Sequence, residues 1–134
     1  MNSVIESKVP AVTLLFWIIK IAATTLGETG GDTLSMTLDL GYLLSTAVFL
    51  ALLIALVVAQ VRARRFHPLL YWATIIASTT AGTTLADFAD RSLGIGYLGG
   101  ALLLAACVFV SLVAWYRSAG TIAVDTVNSP RVEA

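Results

Sequence analysis

Long uncharged apolar stretches alternate with short polar ones along this chain. Uncharged runs cover residues 40–61, 66–86 and 92–116, and each has at least 21 residues. About 20 apolar residues cross the hydrocarbon core of a bilayer, so the pattern predicts three transmembrane helices. A fourth apolar segment begins at Val9 but is interrupted by Lys20, Glu28 and Asp32, and hydropathy by itself leaves it open. The segments between runs, 32–40 and 62–68, are short, so tight connections are expected with no extramembrane domain between spans. Residues 1–8 include Glu6 and Lys8, and no small-residue cleavage site follows the first apolar segment. A retained span is therefore expected there, not a cleaved signal peptide.

An internal repeat resolves the open segment. Shifting the chain by 55 residues lays 14–66 on 69–121 without a gap, and 18 of the 53 pairs are identical. Among them are Trp17/Trp72, Thr24/Thr79, Thr25/Thr80, Gly27/Gly82, Thr29/Thr84, Asp32/Asp87 and Arg62/Arg117, and Gly41-Tyr42-Leu43 falls on Gly96-Tyr97-Leu98. If the first helix of the second copy crosses the membrane, its counterpart must do so too. The expected fold is an all-α membrane protein with four transmembrane helices arranged as two tandem two-helix repeats, 9–66 and 67–122. A polar N-terminus (1–8) and a polar tail (123–134) flank them. Each hairpin returns the chain to its starting side, so the copies should be parallel repeats related by an axis along the membrane normal.

Two motifs recur in the repeat. Leu-Leu-Phe-Trp (14–17) and Leu-Leu-Tyr-Trp (69–72) are each followed by Thr-Thr-x-Gly-x-Thr-x-x-Asp, at 24–32 and 79–87. From Lys8 to Ile122 the chain resembles a bacterial membrane-protein family built from tandem two-helix repeats of unknown function. Larger members of that family look as if they carry four repeats. For a chain with two repeats, the resemblance implies that a homodimer would make up the same unit. No established activity comes with it.

Composition agrees with a membrane location. The chain is 58% hydrophobic and 12% charged, against about 45–50% and about 25% in soluble domains. Eight basic residues balance eight acidic ones, which leaves no basic field for nucleic acid. Arg62, Arg64 and Arg65 lie between the second and third helices, Arg117 follows the fourth and Lys8 precedes the first, whereas the two hairpin turns contain only Arg91. The positive-inside rule then puts both termini in the cytoplasm and the protein in the inner (plasma) membrane. Trp17, Trp72, Phe16 and Tyr71 are expected at the cytoplasmic interface, with Tyr42 and Tyr97 near the opposite one. His67 reads as an interfacial loop residue and Cys107 as a small apolar filler.

Candidate chemistry lies within the first and third helices. Lys20, Thr24, Glu28 and Asp32 follow one another at four-residue steps, and each step turns an α-helix by only about 40°, so they form one slowly drifting polar stripe. Thr25 lies beside it, and Thr80, Thr84 and Asp87 form a comparable stripe in the second copy. A charge at the bilayer centre costs roughly 2.5–3.5 kcal/mol on insertion scales and must face protein or water. Rows of small residues, Ala23/Gly27/Gly31 and Ser78/Gly82/Ala86, allow close helix approach. The expectation is that helices one and three pack through these rows around a shared cavity, while helices two and four face lipid.

Such a cavity suits a small transporter or channel for a hard divalent cation or a proton-coupled small ion. Its ligand set would be Glu28, Asp32 and Asp87 as tentative metal ligands, Thr24, Thr25, Thr80 and Thr84 as neutral oxygens, and Lys20 as a charge partner, with carbonyls freed near Gly27 and Gly82. No cofactor is expected. The alternative is a non-transporting interaction or assembly subunit whose polar groups fix helix pairing. An enzyme is not expected, because there is no Ser-His or Cys-His arrangement and no phosphate loop.

Overall fold

The computed structural model describes residues 8–123, so residues 1–7 of the expected N-terminus and 124–134 of the expected polar tail lie outside the described residues. Four helices are present: α1 (Leu14–Asp32), α2 (Gly41–Arg62), α3 (Pro68–Asp87) and α4 (Gly96–Ala119). Thr13 caps α1, its hydroxyl accepting from the Phe16 backbone N–H at 3.3 Å. Pro68 opens α3 at the first turn, where its missing N–H and fixed φ cost nothing. Beyond α1 and α3 the chain widens into one π-turn each, Thr33–Thr37 and Phe88–Ser92. These turns close through Leu38 N–H to Thr33 C=O at 2.9 Å and Leu93 N–H to Phe88 C=O at 3.1 Å. Both copies thus make the same turn. Left-handed backbone follows in each, at Asp39 and Gly41 in the first and at the equivalent Gly94 and Gly96 in the second.

The two copies interlock rather than stand side by side. Helix α3 packs along both α1 and α2, which meet each other only weakly, so the first hairpin is splayed and α3 fills it. Contacts between α1 and α3 climb both helices in step. Phe16 lies 5.5 Å from Trp72 between ring centroids, Gly27 backs onto Thr79 and Thr80, and Gly31 backs onto Thr80 and Thr84. The second hairpin is splayed in the same way but, among the described residues, holds nothing: α4 touches the other described elements chiefly through the π-turn before it.

The interior is made of small and hydroxyl-bearing residues. Buried positions are Ala23, Ala77, Ala81 and Ala89 together with Ser35, Ser45, Thr46, Thr80 and Thr84, whereas Leu, Ile, Val and aromatic side chains cover the outside. This is the reverse of a water-soluble core, in which the large aliphatic residues go inside. Helices α2 and α4 are long and apolar enough to cross a membrane. Helices α1 and α3 have similar lengths, 19 and 20 residues, but their Thr, Gly and charged positions keep them below that apolarity. Of the three uncharged runs, then, two reach the apolarity of a span.

Candidate functional site

The first small row does what its spacing suggests. A Cβ placed on Gly27 would meet the Ile76 carbonyl oxygen and the Thr79 Cβ at 3.0 Å, and one on Gly31 would meet Thr84 at 3.1 Å. Backbones this close leave no room between them for a water-filled space. At the level of Gly27 and Gly31, then, α1 and α3 are in direct contact and enclose no shared cavity. The second row is also displaced from its expected role, since Gly82 faces open space and Ser78 is exposed. The geometric reason is that α1 offers its glycine face while α3 answers with its Thr79/Thr80/Thr84 face. One chain contains a single such joint and uses only one of the two rows.

The polar residues consequently divide between two environments. Thr80 and Thr84 are buried at the α1–α3 joint, and their hydroxyls donate to Ile76 C=O at 2.8 Å and to Thr80 C=O at 3.1 Å. Lys20 and Thr24 are half-buried on the joint side of α1, with the Thr24 hydroxyl donating to Lys20 C=O at 2.8 Å. Thr25, Glu28 and Thr29 are exposed. At 100° per residue, Glu28 sits a quarter-turn or more round from Gly27, and Thr25 is farther still. The open stripe of α1 therefore points away from α3.

Lys20 and Glu28 are two helical turns apart, about 12 Å along the axis, and neither has an ion-pair partner among the described residues. Lys20 and Glu28 thus do not pair with each other within the chain. Asp87 pairs with Arg91 at 3.4 Å, and its carboxylate lies within electrostatic reach of Asp32 and Asp90. Glu28 lies one turn before Asp32 on α1, but the three proposed carboxylates do not converge on one point. Among the described residues, no three His, Cys, Asp or Glu side chains gather closely enough to hold a metal ion. Nor do Gly27 and Gly82 break their helices to free carbonyls. Each lies inside a continuous α-helix, and the irregular backbone falls one to two turns later, at the π-turns.

A contact that the spacing hid joins the two turns. The Arg91 guanidinium lies 5.7 Å from the Tyr42 ring centroid while also pairing with Asp87, so the second turn is clasped onto the start of α2. The Asp87/Arg91 spacing of four residues is visible in the sequence, but the cation–π contact depends on α2 standing against α3. At the opposite end, the Trp72 ring meets Phe16 in a tilted stack at 5.5 Å and Tyr71 edge to face at 5.2 Å between centroids. Cys107 is exposed on α4.

Two segments of the chain, residues 15–66 and 70–121, match the family described as Repeat of Unknown Function (DUF347). The chain belongs to this repeat family. It holds two tandem repeats of the family, with boundaries close to the 55-residue internal register and to the two hairpins. Neither a curated protein nor a solved structure matches the chain.

Proposed function

We propose that the protein is a small transporter or channel of the inner membrane that moves a hard divalent cation, or a small ion coupled to protons, along the polar stripe of α1. Its inside-out distribution supports a bilayer location: large aliphatic side chains cover the exterior and hydroxyls fill the interior. In this reading all four helices span the bilayer as parallel repeats, both termini are cytoplasmic, and a second copy of the chain encloses the stripe.

The observation that carries the proposal is the asymmetry at Glu28. Glu28 is exposed one turn before the end of α1, whereas the equivalent position in the second copy is the neutral Thr83. An uncompensated charge inside the bilayer is costly, up to roughly 2.5–3.5 kcal/mol at its centre, and the neutral Thr83 fits the same place in the repeat. A charge retained against such a cost, away from any in-chain partner, fits a role in carrying ions. The surrounding hydroxyls suit the same role. Thr24 and Thr29 donate their protons to their own helix and turn acceptor lone pairs outward, which favours cations.

The test is ion flux in liposomes. Glu28→Gln keeps shape and hydrogen bonding but removes the charge, and it is expected to leave expression and assembly intact while abolishing flux. Asp32→Asn and Asp87→Asn are expected to weaken flux. Absence of cation or proton movement through the unmodified protein under every screened condition would sink the reading.

The interaction-module alternative draws on a different observation. All the Thr hydroxyls of the α1–α3 joint are bonded within their own helices, as befits groups that serve packing. Loss of assembly in Glu28→Gln would favour that alternative.

A further inference from the structure

We propose that the groove between α3 and α4, unfilled among the described residues, receives α1 of a second copy of this chain, in the way the groove between α1 and α2 receives α3 within the chain. This deepens the reading that a second copy completes the site and does not depend on what the site transports.

The repeat supplies a worked example of the joint. In the first hairpin, α3 lies between two helices that scarcely touch. Helix α2 meets it through a face that includes Ser45, Thr46, Phe49, Leu53 and Leu56, which are buried or half-buried. The equivalents on α4 beyond Gly100 are Ala101, Leu104, Val108 and Ser111, and all are exposed. Tyr42 is half-covered beneath Arg91, whereas its counterpart Tyr97 is 74% exposed. The small row of α1 is filled by threonines of α3, and the small row of α3 is open at Ser78 and Gly82.

The matching half of the joint is open on the same chain. Within the chain, α3 is covered on two sides: the threonine side by α1, and a side including Ala77 and Ala81 by α2. On α1 the equivalent threonine side carries Thr24, Thr25 and Thr29 with Glu28 between them, and the equivalent second side carries Leu15, Ala22 and Leu26. Thr24, at the edge nearest the α1–α3 joint, is half-buried, and the other six are exposed. A single chain therefore bears an unfilled groove and an uncovered helix that are counterparts of a groove and a helix already fitted together.

Lipid could cover an apolar face of α4, but it does not match a Ser/Gly row on one side and a Thr/Glu row on the other. The axial geometry permits closure. Gly27 meets Thr79 and Thr80, two to three residues from its own equivalent Gly82. The offset is less than one turn, and a joint with little rise closes into a ring instead of growing as a filament. Two copies, each giving α1 to the other's groove, form a two-fold pair. In that pair Glu28 is brought to the Gly82 row of the other copy, where the missing side chain leaves space.

The test is disulfide trapping in native membranes of chains with Cys107→Ala. A chain carrying Thr25→Cys is co-expressed with a differently tagged chain carrying Gly82→Cys, the counterpart of the Thr80/Gly27 contact. A second pair, Thr29→Cys with Ala86→Cys, guards against misfolding of the first. Thr25→Cys with Phe109→Cys, on the far side of α4, measures chance collision. The expected result is a cross-linked pair of chains at least ten-fold above the collision control for both designed pairs, with a native mass of two chains. A two-chain mass with no cross-linking above the control overturns this docking mode while leaving the homodimer reading in place. A single-chain mass overturns both, and a mass above two chains overturns the closed pair. Flux in liposomes is read separately, so loss of the transport reading is distinguishable from either.

Discussion

Gly27 and Gly82 occupy the same position in the repeat and carry the same residue, yet their surroundings differ. Against Gly27 a Cβ meets backbone and Cβ atoms at 3.0 Å, neither of which is the tip of a flexible side chain, whereas at Gly82 the space is open. Gly27→Val is therefore expected to push α1 off α3 and to destabilise the folded chain by about 1–3 kcal/mol, the usual cost of overpacking. Gly82→Ala is expected to leave the isolated chain as stable or slightly more so, because Ala is a better helix former by up to about 1 kcal/mol. Thermal unfolding of both variants in detergent, under conditions where the protein is monomeric, checks the contrast; equal destabilisation would contradict the joint. The contrast also marks how far the sequence could be read at this scale. Both rows of small residues are visible as a four-residue pattern, but periodicity tells only that a face suits close approach. Which face answers it is decided by the other helix, and here the answer to the glycines is a row of threonines.

At the scale of elements the uncharged runs were informative. The runs 40–61, 66–86 and 92–116 became Gly41–Arg62, Pro68–Asp87 and Gly96–Ala119, and the repeat rightly added a helix where lysine and glutamate interrupt the apolar pattern. The π-turns were not legible, since nothing in residues 33–37 or 88–92 marks an i to i+5 bond in advance. The left-handed positions after them are half legible: Gly94, Gly96 and Gly41 fit their backbone, while Asp39 adopts φ 54° without being glycine. A left-handed conformation costs a non-glycine residue roughly 1–2 kcal/mol, less for Asp. Asp39→Gly should accordingly stabilise the first hairpin by a few tenths to about 1 kcal/mol, and Gly96→Ala should destabilise the second by about 1 kcal/mol or more. Chemical unfolding of the two variants, compared with the unmodified chain, reads both signs. A neutral Gly96→Ala would show that the second turn relaxes when its hairpin is empty.

For the whole molecule, the open property is its orientation in the bilayer, and the charges make a definite statement about it. If α1 to α4 all cross, the helix starts and ends gather on two sides. The Arg62, Arg64 and Arg65 segment and the start of α1 share one side, as the Lys8 ammonium donating to Gln60 C=O at 3.4 Å and the Phe16–Trp72 stack attest, and a crossing α4 returns Arg117 to that side. The two π-turns occupy the other side, where Arg91 is the single basic residue and is engaged by Asp87 and Tyr42. Basic residues in short loops close to helix ends are retained on the cytoplasmic side, so the side with the arginine segment is expected to face the cytoplasm. An impermeant thiol reagent added to intact cells should therefore leave Arg64→Cys unlabelled and label Leu38→Cys at the first π-turn, in chains where Cys107 is replaced by Ala. Labelling of both positions in permeabilised cells would establish that each thiol is reachable. External labelling at position 64 alone would reverse the orientation, and external labelling at both positions would mean that α2, the one helix between them, does not cross. In the first case the repeat architecture survives inverted; in the second the four-span architecture fails, and with it the placement of Glu28 within the membrane that makes its charge costly.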